Sequence, residues 1–310
     1  MFDKKRTHYS DTDIKTIDIP PLLAEIPDKP AKIHAVGNTD ILFDTSLKFL
    51  CIVGSRRYSS YGYDAVSQLV HSLKGKRVAL VSGLALGIDS IAHKVALEVG
   101  IPCIAVPGSG LSRDVLYPRS HVELADEIVR NGGVLISEFD SNMRATPWSF
   151  PMRNRIMAGL SHVTFVVEGE EDSGTLITAR LALDYNRDVC ALPGSIFSTS
   201  SKGPLSLIKN GAVPICSSED LHRVLHIQKE LVLNDSPDSY EEYIHTKTAA
   251  CSEEETTILS KLDEPRTRAE LNVLTGIDST KLHICIHMLE LRGLVYEDCG
   301  YIHKIDKIYV

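Results

Sequence analysis

From Leu47 onward, short apolar runs alternate with segments of helical period. The runs are FLCIV (49–53), RVALVSG (77–83), PCIAVPG (102–108), VLISEF (134–139), VTFVVEG (163–169), DVCALPG (188–194) and VPIC (213–216). Between them lie Asp64 to Leu73, Asp89 to Val99, His121 to Arg130, Thr175 to Asn186 and Pro204 to Lys209, each long enough for a crossover helix. Near-continuous apolar strands joined by helices predict a mostly parallel sheet covered on both faces, an α/β doubly wound, Rossmann-like fold of seven strands.

The texture changes near Glu219. LNDSPDSYEEYIHTKTAACSEEE is polar and acidic and reads as a linker. Beyond it, Ser252 with Glu255 and Thr267 with Glu270 form two S/T-x-x-E capping boxes, each opening a helix. A third helix from about Asp278 to Leu291 places Leu282, Ile286 and Leu289 on one face, and LVYEDCGYIHKI follows as a hairpin. Three helices and a hairpin predict a winged helix. The expected organisation is an N-terminal extension (1–46), a Rossmann-like core (47–225), an acidic linker (226–251) and a winged-helix domain (252–310).

Charge changes this picture little once it is located. The net charge of −8 argues against a phosphate-bearing partner, but residues 219–264 hold 12 Asp and Glu against 4 Lys and Arg, so the rest of the chain is neutral. The N-terminus has no apolar leader, and no run approaches the roughly 18 apolar residues of a membrane span, so a cytoplasmic location is expected. Seven scattered cysteines without a C-x-x-C pair give no disulfide framework or metal site, and Cys51, Cys103 and Cys190 read as small hydrophobes within strands.

In an open parallel sheet, ligands bind beyond the carboxyl ends of the strands, where glycine turns and helix N-termini present backbone donors to anions. Here those ends read Gly54-Ser55-Arg56-Arg57, Ser82-Gly83-Leu84-Ala85-Leu86-Gly87-Ile88-Asp89 and Pro107-Gly108-Ser109-Gly110. Phe150-Pro-Met-Arg153-Asn154-Arg155, Glu168 with Ser173-Gly174-Thr175, and Pro193-Gly194 with Lys202-Gly203 follow on the same rim. Any one such turn serves equally to pass a strand tightly into a helix. A dinucleotide fingerprint would follow the first strand, whereas Gly108-Ser-Gly110-Leu-Ser-Arg113 follows the third and ends in Arg; a Walker A loop is missing. Neither a nicotinamide cofactor nor ATP hydrolysis is expected. Asp89 and His93 stand i, i+4 on a helix, and His121 in Y-P-x-x-H reads as packing or capping, so no nucleophile, base and orienter set stands out.

The succession G-S-R, S-G-L-A-x-G-I-D-x-x-A-H, G-S-G-L with Y-P-x-x-H, F-P-x-R-N-R-I-x-x-G-L-S, S-G-T-L-I-T-A and P-G resembles the DNA-processing protein A family (DprA, also called Smf). The likeness runs from about Pro20 to Leu221, and L-x-L-R-G-L-V-Y-x-x-x-G-Y is similar to that family's winged helix. The helical sterile-alpha-motif-like domain of many members is expected to be missing here.

The resemblance implies a non-enzymatic homodimer without cofactor or metal. It implies binding of single-stranded DNA without sequence preference and help in loading the RecA recombinase during natural transformation or recombination. On that analogy Arg56, Arg153, Arg155 and Lys202 face phosphates, with Ser55, Ser109, Gly110, Asn154, Ser173 and Gly174 beside them. Residues two apart on a helix face different ways, so only one of Arg153 and Arg155 is expected to reach DNA. Arg113 is read as a loop-tip cation outside the site. Two other readings remain open. One is a nucleotide-sensing or nucleotide-hydrolysing protein of the lysine-decarboxylase-like group, although its P-G-G-x-G-T-x-x-E signature is reduced to Gly174-Thr175 here. The other is a pure protein-interaction scaffold. The third helix of the winged-helix domain offers Lys281 and Arg292 as its fixed cations, which suits a partner or regulatory role better than duplex binding.

Overall fold

A computed structural model describes residues 8–171, 173–227, 251–291, 294–298 and 300–304. Its internal contacts divide the chain into two compact units, Met1–Gln228 and Lys229–Val310. Of the segment read as an acidic linker, 228–250 lie outside the described residues.

The first unit is built on a nine-stranded sheet. All seven expected strands are present: β3 (Lys48–Val53), β4 (Val78–Ser82), β5 (Cys103–Ala105), β6 (Val134–Ser137), β7 (Val163–Val166), β8 (Asp188–Ala191) and β9 (Val213–Pro214). Two more precede them, β1 (Lys15–Ile17) and β2 (Ile33–Gly37), so the segment read as an extension ahead of the core joins its sheet instead. The order is β1-β2-β6-β5-β4-β3-β7-β8-β9. β1 and β2 pair antiparallel, β2 pairs antiparallel with β6, and all other pairs are parallel.

Helices cover both faces. Packed on one are α2 (Ser60–His71), α3 (Ile88–Glu98) and α4 (Val122–Arg130), with Val66, Val70, Ile88, Ala92 and Ile128 buried against Leu50, Leu80 and Leu135. On the other lie the short α1 (Pro21–Ala24), α5 (Ser149–Leu160), α6 (Gly174–Asp184) and α7 (Lys202–Lys209), whose Leu23, Ile156, Leu160 and Ala179 meet Cys51, Val81, Ile104 and Val166. A further helix, α8 (Ser218–Val224), closes the unit on the first face, where Leu221 is buried. Strands buried on both faces explain why the sequence shows continuous apolar runs rather than alternation.

The second unit holds α9 (Glu253–Ser260), β10 (Arg266–Thr267), α10 (Arg268–Thr275), α11 (Ser279–Leu291), β11 (Val295–Asp298) and β12 (Tyr301–Lys304). The strands form a small antiparallel sheet in the order β10-β12-β11, giving the element order of a winged helix. Both capping boxes form, Ser252 with Glu255 and Thr267 with Glu270. Leu282, Ile286 and Leu289 are buried together, the face expected for the third helix.

Candidate nucleic-acid interface

The order of strands fixes where a ligand fits. β3 lies between β4 and β7, so the chain winds outward from β3 through β4, β5 and β6, then returns to start again at β7. Crossovers from β3 and β7 leave on opposite faces, and the crevice between their carboxyl ends stays open. A cavity of about 400 Å³ occupies that crevice. Val53 to Arg56 after β3 and Gly169, Glu170 and Ser173 to Thr175 after β7 form two walls; Ala85, Asp89 and the first two turns of α5 complete it.

Phe150, Arg153, Asn154 and Met157 all line this cavity. Their spacing is i, i+3, i+4, i+7, one face of α5. Arg153 is buried. Its guanidinium donates to the carbonyls of Gly83 and Val106 at the ends of β4 and β5, and its Nε donates to Asn154 Oδ1 at 3.2 Å. Beneath it, Asp89 accepts from the Gly83 amide at 3.1 Å and also from the amides of Ala85 and Gly54. Burial pushes the Asp89 carboxyl up and the Arg153 guanidinium down, and each opposes the shift of the other. Together they bind the ends of three strands into one floor, whose single cation is already committed to carbonyls.

Arg56 is different. It is exposed, and its guanidinium carbon lies 5.4 Å from the centroid of the Phe150 ring, a cation–π contact that leaves the fork of donors toward solvent. Gly87 makes this turn possible: its φ is +82°, and a Cβ there would overlap the backbone of Ser55 and Arg56. Facing Arg56 across the cavity is the start of α6. The Ser173 hydroxyl is buried with no partner among the described residues, and Gly174 is exposed. Amides of a first helical turn lack intrahelical acceptors, so this wall presents donors and a positive dipole end to an anion.

The remaining expected residues divide. Asn154 lines the cavity but gives its Nδ2 to the Gly174 carbonyl at 3.3 Å. Ser55 lines it too, with its hydroxyl donating to the Arg57 carbonyl at 2.6 Å and accepting from the Arg57 amide. Lys202 is exposed at the start of α7, outside the cavity wall but one residue from Gly203, whose amide donates to Gly169 at 2.8 Å.

Three assignments do not fit the geometry. Arg155 falls off the cavity face of α5 and forms a largely buried ion pair with Glu138. Ser109 is buried, its hydroxyl donating to the Gly110 carbonyl and accepting from the Tyr117 amide. Gly110 gives its amide to Met143 O at 2.8 Å, because the loop after β6 closes over this turn, and any Cβ would strike Asp140 and Ser141. Arg113, read as a loop-tip cation, instead pairs with the buried Asp126, which also accepts from the Tyr9 amide.

Phe150 and Glu168 stand in the rim motifs of the sequence without a role of their own. The i, i+3 step from Phe150 to Arg153 signals that the ring shares the inward face of α5. Glu168 is buried, accepts from the Ser59 amide at 3.0 Å and from the Ser59 and Ser200 hydroxyls, and so ties α2 to the segment before α7. His121 is buried with Nδ1 2.8 Å from the Leu84 carbonyl, a packing role. His93 is fully buried, and burial pushes it down to about 3. Cys51, Cys103 and Cys190 are buried in β3, β5 and β8, and burial pushes each thiol up. Among the described residues no cluster of His, Cys, Asp and Glu has metal-holding geometry, and no helix is long and apolar enough to cross a membrane.

Known proteins share this architecture. Protein Smf of Escherichia coli is 41% identical over 202 residues, 65% of this chain and 53% of its own length. The DNA processing protein DprA of Bacillus subtilis is 38% identical over 222 residues, 70% of this chain and 73% of its own. The chain thus spans about half of the first relative and about three quarters of the second. Among solved structures, DNA processing protein A of Streptococcus pneumoniae superposes with a TM-score of 0.63 at 37% identity, covering 68% of this chain and 74% of that one. DNA processing protein A of Helicobacter pylori, whose structure was described for its single-stranded DNA binding mode, gives 0.63 at 29%, covering 71% and 97%. The family model described as DNA recombination-mediator protein A matches residues 12–226, from the 3₁₀ turn ahead of β1 to the end of α8, and the chain belongs to that family.

Proposed function

We propose that this chain binds single-stranded DNA through the crevice between β3 and β7 and delivers it, as a homodimer and without turnover, to the RecA recombinase. The observation that carries the binding is that one exposed guanidinium, Arg56, and the start of α6 at the exposed Gly174 line the same open cavity. That set suits a phosphate reached by a flexible backbone. Contacts to phosphates carry no sequence information, in keeping with binding indifferent to sequence. Membership of a recombination-mediator family supports delivery to a recombinase. In the second unit Lys281 pairs with Glu254 at 2.6 Å, which supports a partner or regulatory role there over duplex binding.

Titration of a labelled oligonucleotide, single-stranded and then annealed, tests the binding. Single-strand affinity should exceed duplex affinity and fall steeply with salt, by about 0.7 in log K per log salt for each phosphate neutralised. Equal affinities, or indifference to salt, contradict it. Delivery is read from strand exchange or RecA filament growth on protein-covered DNA, with no nucleotide consumed by this chain alone.

A further inference from the structure

Phosphates account for the crevice but not for the loop beside it. Between β8 and α7, Ile196 is 73% and Phe197 91% exposed, two adjacent apolar side chains on the surface. The loop carrying them is braced. Ser198 N donates to Ser195 O at 3.0 Å, the Phe197 amide donates to Ser195 Oγ at 3.2 Å, and the Tyr61 hydroxyl donates to the Pro193 carbonyl at 2.7 Å. It also adjoins the cavity directly. Gly169, which lines the cavity, donates its amide to Ser200 O at 2.7 Å and accepts from the Gly203 amide. Exposed Lys202 lies five residues beyond Phe197, on the same carboxyl-end rim.

We propose that Phe197 is a stacking platform for a nucleobase of the strand whose phosphates occupy the Arg56 crevice. On this path the strand leaves the crevice on the β8 side, crosses the Gly169–Ser200 contact and passes Lys202. The inference rests on the single-strand reading above and adds the source of its selectivity. Phosphates are present on single strands and duplexes alike, whereas the face of a base is free only where it is unpaired and unstacked. Every base has such a face, so a phenyl ring favours single strands without favouring a sequence.

The full chain is titrated with an oligothymidylate and with an abasic oligonucleotide of the same length, which keeps the phosphates and removes the bases. Phe197→Ala should lose about five- to hundredfold on the first, the range for one base-stacking contact, and nothing on the second. Phe197→Trp should retain wild-type affinity. In a Trp148→Phe background, which leaves it the sole indole, its fluorescence should be quenched by the oligothymidylate and not by the abasic strand. Equal effects of Phe197→Ala on both oligonucleotides, or none on either, overturn the proposal. Arg56→Ala separates it from the reading beneath it by weakening both oligonucleotides. If Arg56→Ala changes neither, the phosphate crevice fails on its own, and if wild-type protein binds neither oligonucleotide both fail together.

Discussion

The Arg153 guanidinium fills the space that a Cβ on Gly83 would occupy, and it donates to the Gly83 carbonyl from there. The two residues therefore constrain one another. Arg153→Ala should cost about 3–5 kcal/mol of stability, because it strands the Asp89 carboxylate and two carbonyls in a buried site. Gly83→Ala should be costly in the wild type and cheaper in the Arg153→Ala background, with a coupling of about 0.5–3 kcal/mol. Chemical denaturation of the four proteins measures the cycle, and additive losses would show that the pair does not interact.

Much of this arrangement is legible in the sequence. Each of the seven apolar runs between Phe49 and Cys216 becomes a strand; the inner ones are apolar throughout because they are buried on both faces, while β9 at the sheet edge is exposed. β2 escapes notice: Ile33–Gly37 is short, follows no crossover helix and joins the sheet antiparallel through β6, a long-range pairing without a local signature. In the site, the helix rule says that Arg153 and Arg155 diverge, and the face shared by Phe150, Asn154 and Met157 says which one turns inward. Ser109 and Gly110 carry no such cue. Whether a glycine turn opens to solvent depends on what lies over it, here the loop through Ser141 and Met143 from a distant part of the chain.

Arg155 and Arg113 are expected to act on stability alone. Each pairs with a carboxylate that is largely or fully buried, Glu138 and Asp126. Arg155→Ala and Arg113→Ala should each lower stability by about 1.5–3 kcal/mol, the range for hydrogen bonds to charged groups. Single-strand affinity per folded molecule should stay at the wild-type value. A loss of affinity in either variant below its melting transition would bring that residue back to the DNA path.

Acid should weaken the fold through His162. Burial, reinforced by Lys48 and Arg187, pushes this imidazole down to about 4, and its Nδ1 accepts from the Phe49 amide at 3.0 Å as a neutral ring must. In the unfolded chain it takes up a proton near its ordinary 6.5, so the unfolded state binds more protons between about 6.5 and 4. Its contribution is complete above 6.5 and is lost progressively as pH falls toward 4. His162→Gln, whose side-chain oxygen can still accept from Phe49, should flatten the decline in melting temperature over that window. An unchanged slope would place the acid sensitivity elsewhere.

Arg56 tests the central claim most directly, because it is the exposed guanidinium of the crevice and makes no core contact whose loss would unfold the protein. Fluorescence titration of a labelled single strand should show Arg56→Ala weakened by about 1.5–3 kcal/mol, roughly ten- to hundredfold, with a shallower salt dependence and an unchanged melting temperature. Arg56→Lys should recover only part, since an ammonium cannot fork two bonds onto one phosphate. If folded Arg56→Ala binds the strand with wild-type affinity and salt dependence, the crevice between β3 and β7 is not where this protein holds DNA.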